Sequence, residues 1–490
     1  MKKRIISLTI LCALVLSQFA CGTQDEVQSE TTVSDTTADT TAEVETEVSD
    51  DLPDKKFDGN TFTTITADYI EADYIAEEAN GDVINDAVYK RNQAVMERFD
   101  VELKTVTDNY GNVNTLIQQS VMAGDDEYQM VSNHVVRLSG LATTDILMNW
   151  YDVPYINFEK PWWSNSTVED LTYNGVAILA VGDYALSALS RTYCVFYDKK
   201  AADDYHFDNL YDVVYDGKWT MDYMANLCKG IYQDLNGNSQ RDEYDYYGLT
   251  TSMGSEANAF LWSCGNKIFT KQKDGTFEYT YNNERTIDIF EKLFKFCYEN
   301  EGVNTDRPQY TQENIWLAAP YAFKDDLTAM IPGTLSMSVE YFRERENEYG
   351  ILPYPKFDEA QDGYYTMVDG GHAALAIPKS VQDLEFVGII TEALNAETHK
   401  IVFPAYYEIA LKVKYSHDDE SVKMLDMIVE NRIFDFGYVY DNWKGVSFIY
   451  QRLLRDEKSM DFASYYAKNS SAAEDYYDGV IEYFDKLANE

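Results

Sequence analysis

From Phe57 onward the chain alternates between segments patterned for strands and segments patterned for helices, and this alternation limits the fold more than any other feature. "TFTTIT" (Thr61–Thr66) is β-branched, and "VINDAVYKRNQAVMERF" (Val83–Phe99) sets Ile84, Val88, Val95 and Phe99 near helical spacing. "VELKTV" (Val101–Val106) alternates again, "NVNTLIQQSVMAG" reads as a second helix, and "YQMVSNHV" (Tyr128–Val135) reads as the next buried strand. Repeated βα units predict an open, largely parallel sheet with helices on both faces. A second block starts near Thr192: "TYCVFYDKKAADDY" reads as a strand then a helix, and "GKWTMDYMANLCKGIYQ" as a helix capped by Thr220, with Trp219 packing its start.

The N-terminus reads as an export signal over residues 1–20. Lys2, Lys3 and Arg4 precede an apolar run from Ile5 to Phe19 that is too short and too poorly flanked for a permanent membrane span. The signal ends in "LSQFACG", which resembles a bacterial lipoprotein box; the resemblance implies lipidation of Cys21, although Gln18 stands where a small aliphatic residue is usual. An ordinary cleaved secretion signal is the alternative. Asp25 to Asp51 holds ten Asp/Glu and no Lys or Arg, so residues 21–56 are expected to form a disordered acidic tether. Lipid and tether together imply a protein anchored on the extracellular face of the membrane of a Gram-positive type bacterium.

The formal net charge is −44, and losing Lys2, Lys3 and Arg4 with the signal takes it to −47. Such a surface argues against nucleic acid and against direct adhesion to anionic lipid. Beyond Cys12 and Cys21, the four cysteines Cys194, Cys228, Cys264 and Cys297 match no metal pattern and no disulfide framework, and read as buried thiols. Neither HExxH, GxSxG, a P-loop nor GxGxxG occurs, so nothing points to an enzyme.

"DLNGNSQRDEYDYYGL" (Asp234–Leu249) places Asp234, Asn236, Asn238, Gln240, Asp242 and Asp245 at positions 1, 3, 5, 7, 9 and 12 of a calcium loop. Ser239 stands where glycine normally turns the loop, Arg241 replaces an aliphatic residue, and Asp245 replaces the bidentate glutamate. Three carboxylates and two side-chain amides imply weak affinity, which extracellular calcium could still satisfy. A sensor would pair two such loops, so the expected role is a structural Ca2+ that staples a helix to its next strand; a solvated turn without metal is the alternative.

Order and spacing carry a further resemblance. "FDGNTFTTITADY", "INDAVYKRNQAVMERFDVEL", "KPWW" (Lys160–Trp163), "TYCVFYDKK", "DGKWTMDYM", the acidic loop before its Tyr-Gly-Leu strand, and "GGHAALAIPKSVQDLEFVGIITEAL" together resemble extracellular solute-binding protein family 1, the sugar-type receptors of ABC importers that include maltodextrin-binding proteins. The resemblance implies an α/β, two-lobe periplasmic-binding-protein-like fold of type II, with discontinuous lobes joined by hinge strands. Lobe one would hold 57–183 and 370–414; lobe two would hold 184–369 and 415–490.

It also implies a function: a lipid-anchored receptor that closes on a carbohydrate, expected to be an oligosaccharide, and delivers it to ABC permease subunits. Aromatic rings would stack on sugar faces and polar groups would bond the hydroxyls. By the family's cleft loops the candidate ligand residues are Asp68 after the first strand, Trp162 and Trp163 before the first crossing, Asp183 at it, Trp262 before a Gly turn, Asp369 at the return crossing and Trp443 among the C-terminal helices. Packing is the alternative for each tryptophan, and a cap or turn for each aspartate; His372 reads as structural. A surface glycan-binding or sensing lipoprotein without a transport role, a receptor for a non-sugar solute such as a peptide, and a carbohydrate hydrolase are the competing readings.

Overall fold

The structure, a computed structural model, describes residues 48–305, 317–407 and 419–490. The expected signal peptide over 1–20, Cys21, most of the expected tether and the expected boundary at 414/415 lie outside these residues. The chain divides into Met1–Ser49 and one compact unit, Asp50–Glu490. Within that unit the chain is fastened ahead of Phe57. Asp50 pairs with Arg98, Asp51 with Lys160 at 2.6 Å and Lys55 with Glu385 at 2.7 Å, so the body starts at Asp50.

The first sheet runs in the order Ala373–Ala376, Met130–His134, Asn60–Ala67, Val101–Asp108. Asn60–Ala67 is parallel to both neighbours, with Asn60 opposite Val101 and Ala67 opposite Asp108, while Ala373–Ala376 closes the edge antiparallel. Phe62 to Ala67 are buried without alternation, as expected of a strand covered on both faces. The helix Val83–Phe99 starts on Asp82, whose carboxylate accepts from the N–H groups of Ile84 and Asn85, and stops at Asp100 in the left-handed region (φ 52°). Val88, Val95 and Phe99 are buried as their spacing requires, and Ile84 is half-buried.

The second sheet runs Tyr349–Leu352, Tyr193–Asp198, Thr328–Thr334, Tyr246–Thr250, Tyr232–Gln233, with Val303–Asn304 also paired to Tyr246–Thr250. Here the parallel expectation fails. Tyr193–Asp198 is antiparallel to both its neighbours because it enters from a crossing, not from a βα unit of its own sheet. Thr220 caps the helix Met221–Cys228 through Tyr223 N–H, and Trp219 is fully buried with Nε1 on the Pro353 carbonyl at 2.8 Å.

Two segments join the sheets, one leading into Tyr193 and one leaving Met367 for Ala373. They lie antiparallel: Thr192 bridges Val368, Asp369 N–H donates to the Arg191 carbonyl at 2.9 Å, and Thr366 Oγ1 donates to the Tyr193 carbonyl at 2.6 Å. These are the hinge strands of a two-lobe α/β fold. The C-terminal helix Phe462–Ala488 buries Phe462, Tyr466, Tyr477 and Phe484 on one stripe, with Phe484 packed on Tyr173, Phe436 and Tyr440. Cys194, Cys228, Cys264 and Cys297 are buried free thiols. Among the described residues no helix is long and apolar enough to cross a membrane.

Candidate functional site: the cleft between the lobes

A cavity of about 860 Å3 opens where both sheets end and the hinge strands pass. Its first wall comes from three successive strand ends of the first sheet. Tyr69 follows Asn60–Ala67, Tyr110 opens the helix after Val101–Asp108, and His134 ends Met130–His134. Side chains at strand carboxyl ends are where ligands meet open α/β sheets. Their rings form a row: Tyr69 lies edge-on to Tyr110 (6.4 Å between centroids), Tyr110 tilts over His134 (5.5 Å), and His134 meets Trp443 (5.2 Å).

Trp443 is held there by an unusual backbone. Asn442 and Trp443 both adopt left-handed φ, 45° and 57°, which costs a non-glycine residue free energy and concentrates at functional sites. The turn aims the indole back onto His134, leaves it 38% exposed, and receives the Arg137 guanidinium over its face at 5.3 Å. Burial pushes His134 down to about 4, so the ring is neutral at pH 7, and its buried Nδ1 has no partner.

The hinge supplies the floor. Tyr69 Oη donates to the Gly371 carbonyl at 2.6 Å while the Arg191 guanidinium lies 5.0 Å over its ring. Asp369 accepts from Tyr193 Oη at 2.9 Å and from Gly371 N–H at 2.8 Å. Gly370 N–H donates to Tyr438 Oη at 2.7 Å, an approach that a Cβ at Gly370 would block, since it would stand 2.7 Å from that oxygen. Behind this, His372 is buried, with Nδ1 on the Asp369 carbonyl at 2.7 Å and Nε2 unpartnered.

The opposite wall belongs to the second sheet and the C-terminal segment. Glu256 sits in the first turn of the helix Ser255–Ser263, where Thr251 Oγ1 donates to it; burial raises its pKa against the pull of the Gly254 N–H, its own N–H and that hydroxyl. Gln451 is clamped to the same helix by two hydrogen bonds with Asn258 (2.9 and 3.0 Å). From it a π-helical turn, Arg452–Glu457, brings Arg452 and Arg455 to the cavity. Such turns often mark functional sites.

Of the seven residues singled out in the sequence, Asp369 and Trp443 line this cavity, and Asp68 is exposed one position before Tyr69. The other four lie elsewhere. Trp162 and Trp163 are buried and donate their indole N–H groups to the two oxygens of Glu392 at 2.8 and 2.9 Å. Asp183 donates its N–H to the Trp162 carbonyl at 2.9 Å, and its carboxylate pairs with His399 at 2.6 Å. Trp262 is buried with Nε1 on Asp435 at 2.8 Å. Sequence reading missed Tyr69, Tyr110, His134, Arg191, Glu256, Arg452 and Arg455. For Tyr69 and Tyr110 a signal existed, since each stands two residues beyond the end of a strand.

The loop Asp234–Asp245 is built on its own hydrogen bonds. Asp234 accepts from Gly237 and Ser239 N–H, Asp242 accepts from the side-chain amides of Asn236 and Asn238, and Gln240 N–H donates to Asn238 Oδ1. Ser239 makes the turn expected of glycine, at φ 59°. Asp245 is fully buried and accepts from Leu235 N–H, Tyr232 Oη and Asp242 N–H. Among the described residues no three His, Cys, Asp or Glu side chains are grouped to hold a metal ion.

No protein-family model matches the chain, and neither does any curated protein sequence. Solved structures do match it. A cyclo/maltodextrin-binding protein complexed with maltotetraose is 12% identical, with a TM-score of 0.55 over 88% of this chain and 98% of that one. An ABC substrate-binding protein of Listeria monocytogenes in complex with cycloalternan is 12% identical, with a TM-score of 0.53 over 88% of this chain and 100% of that one. An ABC transporter solute-binding protein of Agrobacterium radiobacter in complex with ribitol is 13% identical, with a TM-score of 0.55 over 86% and 99%. At these identities the likeness is one of fold, and the chain is built on the two-lobe α/β architecture of sugar-binding ABC solute-binding proteins.

Proposed function

We propose that this protein is an extracellular, lipid-anchored solute-binding receptor that captures a carbohydrate between its lobes and delivers it to an ABC permease, without covalent turnover. The observation that carries this reading is the ring row Tyr69–Tyr110–His134–Trp443 on one wall of a cavity at the hinge. Aromatic faces stack on sugar C–H faces, and the hydroxyl rim meets Asp369, Gln451 and the arginines opposite. The lipid anchor rests on Cys21 and the acidic segment that follows it.

The test is thermal melting of residues 48–490 against mono- and oligosaccharides. A ligand at a hundred times its Kd adds about 2.7 kcal/mol of stability, a visible shift. Silence of the folded protein across the panel overturns the reading. Labelling of whole cells with a fatty acid probe, lost in Cys21→Ser, tests the anchor.

We also propose a structural Ca2+ at Asp234–Asp245, supported by the alternating oxygen side chains and by the left-handed turn at Ser239. A calcium heat by titration calorimetry and a melting temperature lowered by chelator are expected; absence of both removes the ion.

A further inference from the structure

The sequence carries 84 acidic residues against 40 Lys and Arg, so a guanidinium should find a carboxylate easily. Four outside the cleft do, while Arg91 and Arg241 meet backbone carbonyls instead. Arg98 pairs with Asp50, Arg343 with Asp82, Arg285 with Asp358, and Arg345 with Asp198 and Asp326. The cleft departs from this. Arg191 on one hinge strand and Arg452 on the π-helical turn form no ion pair and no side-chain hydrogen bond among the described residues, and Arg455 pairs only with its exposed neighbour Asp456. The two cleft carboxylates are already committed to protein donors, Asp369 to Tyr193 and Gly371, Glu256 to Thr251.

Each of these arginines is half-buried beside the cavity, so leaving it without a direct carboxylate partner from another element costs solvation that its ring contact or more distant charges return only in part. The π-helical turn puts two of them on one wall, and the Asn258–Gln451 clamp fixes that turn to its neighbouring helix. Arg191 lines the same cavity, stacked on Tyr69 at one end of the ring row. A planar guanidinium pairs best with a carboxylate or a similar oxyanion. We infer that the ligand is an anionic glycan, a carbohydrate whose carboxylate is held by Arg191, Arg452 and Arg455 while its ring stacks on the aromatic wall. This rests on the receptor reading above and narrows it. The strongly acidic surface then disfavours non-specific anions.

The experiment is titration calorimetry and thermal melting of residues 48–490 with trigalacturonate, lactose 3′-sulfate (a sulfate ester without a carboxylate), and the neutral trisaccharides maltotriose and galactotriose. Tight binding of an acidic sugar, at least about tenfold tighter than any neutral one and weakening in about 0.5 M NaCl, is expected. The carboxylate and sulfate probes separate the two anion sources. Arg452→Gln should weaken the acidic ligand at least about tenfold; if that variant melts early, Arg455→Gln replaces it. Neutral sugars binding as tightly as acidic ones, or acidic binding indifferent to salt, overturns the inference and leaves the receptor standing. No binding of any sugar overturns both.

Discussion

Glu392 shows how a single buried group sets a pH response. It is fully buried, accepts both indole N–H groups of Trp162 and Trp163, and has its pKa raised to about 7 by burial, which those two donors only partly offset. The folded state therefore binds the proton more tightly than the unfolded chain, where a glutamate titrates near 4.5. Its contribution is complete below pH 4.5 and is lost as pH rises through about 7. Stability should fall by roughly 2 kcal/mol across that window, read as urea midpoints at pH 5 and 8. Glu392→Gln should flatten the slope while lowering stability at every pH, since one amide oxygen cannot serve both indoles. A slope unchanged in the variant would move the titration to another group, such as Asp73, which burial raises to about 6. This contact also explains what was illegible in the sequence. The polar partner of "KPWW" lies 230 residues from Trp162, and no local pattern announces a carboxylate that distant.

At the scale of elements, the helix Val83–Phe99 and the strand around Thr61–Thr66 were legible because cap, periodicity and stop all lie within the segment itself. The second sheet was not, because its direction is set by a crossing rather than by local pattern. The loop Asp234–Asp245 falls between. Its spacing was readable, but the tie between Leu235, Tyr232 and Asp242 is made by the buried Asp245. Asp245→Ala should cost about 2–3 kcal/mol in urea unfolding, because it strands three donors at once. If a Ca2+ ligated by Asp245 shares the stapling, that loss should grow when calcium is present, because the variant forfeits the ion as well, and shrink when calcium is chelated. Equal losses in both buffers would assign the staple to Asp245 alone.

Across the whole molecule the chain places its reactive sulfur out of reach. Cys194, Cys228, Cys264 and Cys297 are buried, and burial pushes the Cys264 and Cys297 thiols up to about 12. Residues 48–490 should react with no equivalents of an aromatic disulfide reagent when native and with all four thiols in guanidinium. Fast reaction of any one in the native protein would show an opening of that lobe's core. The hinge segments between the two sheets make specific contacts, among them Gly370 against Tyr438. Gly370→Ala should force that hydroxyl aside and weaken ligand capture more than it lowers the melting temperature.

Trp443 is the one tryptophan among those described that reaches solvent; Trp150, Trp162, Trp163, Trp219 and Trp262 are sealed in the lobes. The protein thus carries its own optical gauge at the mouth of its cleft. A solute settling on the ring row should move emission to the blue and shield a fraction of the fluorescence from iodide, and Trp443→Phe should abolish both changes. Binding that leaves the emission untouched would place the solute elsewhere.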